Sequence, residues 1–373
     1  MGACAAVMCV LLLATLVSGD AAASASRGAG PSRGAGECPG AGGQVVSQLP
    51  AVTRFLAAYV RPDGRVYRPD QGGDTVSEGQ AYGLLLAEVA VRDRLFGRIW
   101  QWTRDHLQLR DGLFAFHADA AGRVLSPEPA SDADLLIAWA LLRYHGLGAA
   151  RLHQDGRDVA DAVLAHEVIT GPGGTPILAA GPWATGPPAT VDPSYWALPA
   201  LTGLACLTGN QQWQRMADGA VALTARLTRN GALLPPDWAE LTATGEAHPE
   251  PAPDGSEPQP QYGLDAQRTA VWFAASCIPR ARRLAARWWR LLRSPARSRA
   301  LALSLDGAIL TPTASVLPLV AAAAAAQAAG AAAASGRLLS LAAGQQRRAP
   351  RYYGGAWIAL GLTLLGSDLL GGC

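Results

Sequence analysis

The stretch Thr75-Val76-Ser77-Glu78-Gly79-Gln80-Ala81-Tyr82-Gly83-Leu84-Leu85-Leu86 sets an acid where a helix begins and follows it at once with an apolar run. Ser77 and Gln80 have the S-x-x-Q spacing of a capping box, which predicts a helix with Glu78 at its first position. A carboxylate there suits the positive end of the helix dipole. Gly79 and Gly83 need a further reason, because each costs about 1 kcal/mol against alanine in a helix. They predict that something approaches the backbone closely.

The same construction recurs. In Ala130-Ser131-Asp132-Ala133-Asp134-Leu135-Leu136, Ser131 stands at an expected N-cap and acids stand at the first and third helical positions. Asp134 reads as the capping-box acid, whereas Asp132 has no such explanation. In Tyr262-Gly263-Leu264-Asp265-Ala266-Gln267-Arg268, Asp265 reads as an N-cap three residues before Arg268. Three carboxylates heading three mostly apolar, hence buried, helices are costly unless they converge on one cleft.

Outward from these motifs, helical periodicity dominates and alternating strand patterns are scarce. Helices are expected near 44–60, 78–92, 94–107, 133–145, 154–167, 193–207, 210–228, 266–277, 280–293, 312–334 and 353–366. Successive antiparallel helices in that number suggest pairs wound into a ring around a common interior, an all-α chain. Thr242 to Gln261 carries Pro249, Pro251, Pro253, Pro258 and Pro260 and is expected to be a surface loop without helix or sheet, forming one wall of the cleft.

Residues 1–25 read as a secretory signal, with an apolar stretch from Cys4 to Val17 followed by small residues, although a basic start is lacking. Residues 26–42 have the Gly, Ser, Arg and Pro composition of a disordered leader, which leaves 43–373 as one domain. The apolar stretch is too short to span a membrane, so export to a periplasmic or extracellular space follows, without stable membrane insertion. The net charge of +2 gives no reason to expect nucleic acid or an anionic membrane as partner. All 31 basic residues are arginine, a compositional bias. Cys38, Cys206, Cys277 and Cys373 follow the signal and allow at most two disulfides in three pairings. With no C-x-x-C or Cys/His cluster, nothing suggests a structural zinc.

Trp100, Trp139, Trp272 and Trp357 fall inside expected helices and read as core. Trp102, Tyr195, Trp196 and Trp238 fall beside the acids, several of them in Pro-bounded loops. Aromatic rings presented next to carboxylates suit a sugar cleft, since a flat ring matches the apolar face of a pyranose while charged groups take its hydroxyls.

Taken in order, Asp63-Gly64-Arg65-Val66, Ser77 to Gly83, Ala130 to Asp134, Pro193-Ser194-Tyr195, Pro235-Pro236-Asp237-Trp238 and Asp265-Ala266-Gln267-Arg268 resemble glycoside hydrolase family 8. Within that family the chain is most similar to the periplasmic endoglucanases of bacterial cellulose synthesis. The resemblance implies an (α/α)6 barrel of six inner and six outer helices and an inverting endo-β-1,4-glucanase. Glu78 would be the general acid and Asp265 the general base, with Asp132 holding and distorting the sugar at the point of cleavage. Tyr195, Arg268, Trp102, Trp238, Asp134, Gln80 and Tyr82 would contact substrate. Inversion needs the acid and base about 6.5–9.5 Å apart, and Glu78 protonated near neutrality, so desolvation and Asp132 must outweigh the helix dipole. No metal or cofactor is implied. The expected partner is a β-glucan, with the cellulose-synthesis machinery as a possible second and a monomer as the default. Leu113-Phe114-Ala115-Phe116-His117 departs from the family pattern, which has a tryptophan there, and the Pro-rich segment is longer than the family's. Two other readings use the same residues: a chitosanase or xylanase on this scaffold, and a glucan-binding partner of an export system without turnover.

Overall fold

The computed structural model describes residues 49–229 and 231–370. The expected signal and leader lie outside the described residues. Twelve α-helices are described: α1 (Leu49–Tyr59), α2 (Ser77–Val89), α3 (Asp93–Leu107), α4 (Ser131–Arg143), α5 (Ala149–His166), α6 (Leu198–Thr208), α7 (Gln212–Leu227), α8 (Leu264–Ala274), α9 (Pro279–Leu292), α10 (Val316–Ala328), α11 (Ala332–Arg348) and α12 (Tyr352–Gly366). The even-numbered helices pack each on the next, α2 on α4, then α6, α8, α10 and α12, and α12 returns to α2. The odd-numbered helices lie against this ring from outside, giving the (α/α)6 barrel.

Position in the ring explains composition. Every residue of α4, and nearly every residue of α2 and α12, is buried, as befits helices that are apolar all round and packed on all sides. Outer helices carry a single apolar stripe. On α9 only Ala281, Leu284, Ala285, Trp288 and Leu292 are buried, and the arginines Arg280, Arg282, Arg283, Arg287 and Arg290 face out. The alanine run belongs to α10, where Ala321 to Ala326 are all buried and let neighbouring backbones approach.

Two expectations about this region change. The helix expected over 312–334 is interrupted. Residues Ile309–Ala314 form a strand, α10 ends at Ala328, and Gly330 turns the chain at φ 77° into α11, which the sequence reading lacked. Strands are also more numerous than expected, as short antiparallel ladders formed by the connections: β1 (Thr75–Val76), β2 (Ala115–Ala118), β3 (Val124–Pro129), β4 (Val168–Thr170), β5 (Pro176–Leu178), β6 (Ala189–Val191), β7 (Trp238–Leu241), β8 (Ala247–Glu250), β9 (Ala300–Leu303) and β10 (Ile309–Ala314). The expected strandless loop 242–261 thus contains β8, paired with β7, and Pro249 is tolerated because β8 is an edge strand. The remainder, the turn at 242–246 and residues 251–261, is irregular.

Gly79 and Gly83 do make room, for protein rather than ligand. A Cβ on Gly79 would collide with the Tyr352 hydroxyl, and one on Gly83 would lie 2.6 Å from Val66 Cγ2. The Asp63-Gly64-Arg65-Val66 motif is likewise architectural. Arg65 donates to Thr75 Oγ1 at 2.7 Å and to the carbonyls of Ala120, Gly73 and Asp119, bracing the β2–β3 hairpin to the entry of α2. Cys206 and Cys277 are both disulfide-bonded.

Candidate active site

The inner helices α2, α4 and α8 bring their N-terminal turns to the same end of the barrel, and with them Glu78, Asp132 and Asp265. Each acid sits at the second position of its helix, since the N-cap residues are Val76, Ala130 and Gly263. None of the three expected caps forms. Ser77 Oγ has no partner, Ser131 Oγ donates to Ala179 O, and the free amides at the head of α8 are taken by Asp237 rather than by Asp265.

One guanidinium joins the acids. Arg268 Nη1 donates to Glu78 Oε2 at 3.0 Å and to Asp132 Oδ2 at 2.9 Å. Its Nη2 donates to Asp265 Oδ1 at 2.9 Å and to Ser194 Oγ at 2.7 Å, and lies 3.6 Å from Asp192 Oδ2. The Tyr195 ring covers it, 5.2 Å from centroid to Cζ. The two Nη atoms belong to one rigid planar fork, so the Glu78 and Asp265 oxygens that they hold are at most about 8 Å apart.

Burial sets the protonation. Desolvation pushes the Glu78 carboxyl up to about 7; Arg268 opposes this, and the charges of Asp132 and Asp265 add to it. Asp132 rises to about 6, again from burial, with Arg268 opposing and Asp265 adding. Asp192, wholly buried, is pushed well above the carboxylate range by burial and then by Asp265. Asp265 is the accessible member, its side chain 33% exposed against 6% for Asp132.

Above the acids opens a cleft of about 640 Å³. Phe116, Trp183, Tyr195, Trp238 and Tyr353 line it, with Glu128, Asp254, Glu257 and Arg68 among the polar groups. Of the expected substrate residues, Tyr195, Trp238 and Arg268 are therefore at the cleft.

The other four are not. Trp102 is on α3, an outer helix, buried and stacked on His106 at 4.4 Å. Gln80 is wholly buried, its Oε1 accepting from Val66 N at 2.5 Å and its Nε2 donating to Thr103 Oγ1 at 2.7 Å. Tyr82 points into the core, edge-on to Trp357. Asp134 lies behind Asp132, accepting from Phe114 N at 2.9 Å and contacting Glu167, with both carboxyls raised well above their usual range by burial. Helical period accounts for Gln80 and Asp134, which stand two positions past Glu78 and Asp132 and so on the opposite side of their helices, whereas Tyr82 shares the face of Glu78 but lies one turn deeper in the barrel and Trp102 belongs to an outer helix. Trp196 also turns inward and donates to Leu178 O.

Sequence reasoning missed Trp183, Asp192 and Ser194. Trp183 follows Gly181-Pro182, a turn signal that could have marked it as presented from a loop. Asp192 precedes Pro193 and accepts from Ser194 N at 2.7 Å, an Asx turn that orients Ser194 and Tyr195. Where the family's tryptophan was expected, Phe116 supplies a ring to the cleft wall.

The helical barrel thus gathers its carboxylates at one end, beneath an aromatic-walled groove. The chain belongs to glycosyl hydrolases family 8, whose model matches residues 44–275. It is 29% identical over 227 residues to an endoglucanase of Cellulomonas uda, covering 59% of this chain and 62% of that one. It is 30% identical over 233 residues to a probable endoglucanase of Novacetimonas hansenii, covering 59% and 64%. The chain thus spans less than two thirds of the length of these curated relatives. Among solved structures, the endo-β-1,4-glucanase of Acetobacter xylinum superposes with a TM-score of 0.70 at 24% identity, over 87% of this chain and 99% of that one. The family 8 endoglucanase of Klebsiella pneumoniae gives 0.68 at 25% identity, over 84% and 97%.

Proposed function

We propose that the chain is an exported, inverting endo-β-1,4-glucanase in which Glu78 is the general acid, Asp265 the general base and Asp132 the group that holds the sugar at the point of cleavage. The observation that carries this reading is the convergence of the three carboxylates on the Arg268 guanidinium at the floor of the cleft. Glu78, raised to about 7, is about half protonated at neutrality and can give its proton to the leaving glycosidic oxygen. Asp265 reaches solvent and can accept a proton from a water attacking the opposite face of the sugar. Their upper separation of about 8 Å is compatible with room for that water. Arg268 offsets the charge of the cluster and can hydrogen-bond a sugar hydroxyl as the carboxylates change protonation. The aromatic side chains would stack on pyranose faces along the groove.

Export is supported by the signal-like start, and among the described residues no helix is long and apolar enough to cross a membrane. A β-glucan is the proposed substrate and a monomer the proposed form; a link to a cellulose-synthesis system rests on resemblance alone.

One observation favours a second reading. Glu128 and Asp254 add carboxyls to the cleft, which suits the ammonium groups of chitosan. The test is reducing-end release from carboxymethylcellulose, xylan and chitosan by the unmutated chain, Glu78→Gln and Asp265→Asn, with the anomer first formed read by proton NMR. Cleavage of glucan with inversion, lost in both variants, supports the first reading. Preferential cleavage of chitosan selects the second, and retention of configuration overturns the inverting mechanism. Glucan binding without cleavage of any polymer leaves the scaffold role.

A further inference from the structure

Beside Asp265 the irregular segment 251–261 brings one more carboxyl into the cleft wall. Glu257 lines the cleft with Pro253, Asp254 and Asp265. Its carboxyl lies within hydrogen-bonding reach of Asp237 and Gln261. Asp237 is wholly buried, and its Oδ1 accepts from Gly263 N at 3.0 Å and Ala266 N at 2.6 Å. Asp237 is thus the side chain that fastens the first turn of α8, the turn that presents Asp265.

The second oxygen of each carboxyl has no donor. Asp237 Oδ2 and Glu257 Oε2 are both buried and unpartnered. Two ionised carboxylates can only accept, so bringing them together leaves both oxygens unsatisfied and two like charges adjacent. A single proton between them removes both defects and makes a short, charge-assisted hydrogen bond.

We infer that Glu257 is a positioning residue, sharing one proton with Asp237 and thereby tying the Pro-rich wall of the cleft to the turn that carries Asp265. The inference rests on reading Asp265 as the general base.

The surroundings favour retention of that proton. Asp265 and Asp254 face Glu257, while Asp265 and Asp192 face Asp237; the Gln261 side chain lies beside Glu257, and the buried Tyr262 hydroxyl stands near Asp237. Arg268, the cation at this end of α8, is already engaged by Glu78, Asp132 and Asp265. Burial is the leading cause that raises both carboxyls. The proton is held below the raised pKa of the pair and lost as pH rises through it, after which two adjacent carboxylates repel and the wall is released.

The test uses the full chain with Glu257→Gln and Glu257→Ala. A glutamine amide donates to the Asp237 carboxylate without titrating, so Glu257→Gln is expected to keep kcat and KM on the polymer within about twofold, while Glu257→Ala lowers kcat about tenfold or more. The direct readout is infrared absorption of protonated carboxyl groups at about pH 8 in a Glu78→Gln background, where Asp192 and the Asp134 and Glu167 pair supply a constant contribution. Adding Glu257→Gln is expected to remove one component of that band. Equal kinetic damage from Gln and Ala, or a band unchanged by Glu257→Gln, would overturn the inference. The infrared comparison needs only the conservative variant, so it decides the matter even where Glu257→Ala does not fold. Because it does not depend on turnover, it also separates this inference from the base assignment, which fails instead if Asp265→Asn retains activity.

Discussion

Glu78 and Arg268 are 190 positions apart in the chain and 3.0 Å apart in space. That contact sets an acid whose proton must be given up against a cation that favours its loss. Burial outweighs the cation, because Arg268 divides its two Nη atoms among Glu78, Asp132, Asp265 and Ser194 and is not dedicated to Glu78.

If Glu78 acts as the acid, activity requires its protonated form, so kcat/KM falls as pH rises through about 7. Glu78→Gln should lower kcat by about 10²- to 10⁴-fold. The same shift bears on stability. The folded carboxyl titrates near 7 against an ordinary value of 4.5, so its contribution is fully present below about 4.5 and is lost as pH rises through 7. Thermal melting of Glu78→Gln between pH 5 and 8 should accordingly decline less than that of the unmutated chain, by on the order of 1–3 kcal/mol. Glu88, also raised to about 7 by burial beside Arg143, continues to contribute part of the decline in both.

Arg268→Met leaves Glu78, Asp132 and Asp192 buried without their cation. Removal of one partner from such a cluster costs about 3–5 kcal/mol. Denaturant melts should show that loss at pH 8 and recover much of it at pH 5, where the acids are protonated and need no counter-charge. A loss of equal size at both pH values would mean that packing, not charge, is what Arg268 provides.

Ser194→Ala removes the 2.7 Å anchor of Arg268 Nη2. A hydrogen bond to a charged group is worth roughly 1.5–3 kcal/mol. Activity should drop about tenfold through kcat with KM little changed, because the guanidinium loses its orientation while the aromatic walls remain. Steady-state kinetics on a soluble glucan would show the split.

Trp183 is 46% exposed and stands on the cleft wall, with its Nε1 donating to Pro129 O at 3.1 Å. Trp183→Ala should raise KM for polymer about three- to tenfold and spare both kcat and the melting temperature. Unchanged KM would remove Trp183 from the substrate path.

Gly83→Ala places a methyl 2.6 Å from Val66 Cγ2 inside the barrel. Overpacking of this kind costs about 1–3 kcal/mol. Urea melts should shift accordingly, whereas alanine in an unobstructed helix would have stabilised.

The helices were legible because their causes are local. Apolar runs such as Leu84 to Leu86 and Leu135 to Leu142 bear the imprint of complete burial, and the acids that head them mark one end of the barrel. The boundary between α10 and α11 was not legible, because a run of alanine has the same propensity on both sides of the turn at Gly330. Capping went astray for a related reason. Ser77, Ser131 and Asp265 have the right residue types for caps, but Ser77 Oγ finds no partner, Ser131 turns to Ala179 O, and Asp237 takes the amides in place of Asp265.

The sequence by itself determined that the chain is mainly helical, that its long apolar helices are buried and that acids stand at the N-termini of three of them, because propensity and helical period are written residue by residue. Only the tertiary structure decided that a single Arg268 would join those acids, that Trp183 and Phe116 would face the cleft while Trp102 and Tyr82 face the core, and that Glu257 would meet Asp237. Those outcomes depend on distances between segments far apart in the chain, and such distances are set by how the twelve helices close into a ring.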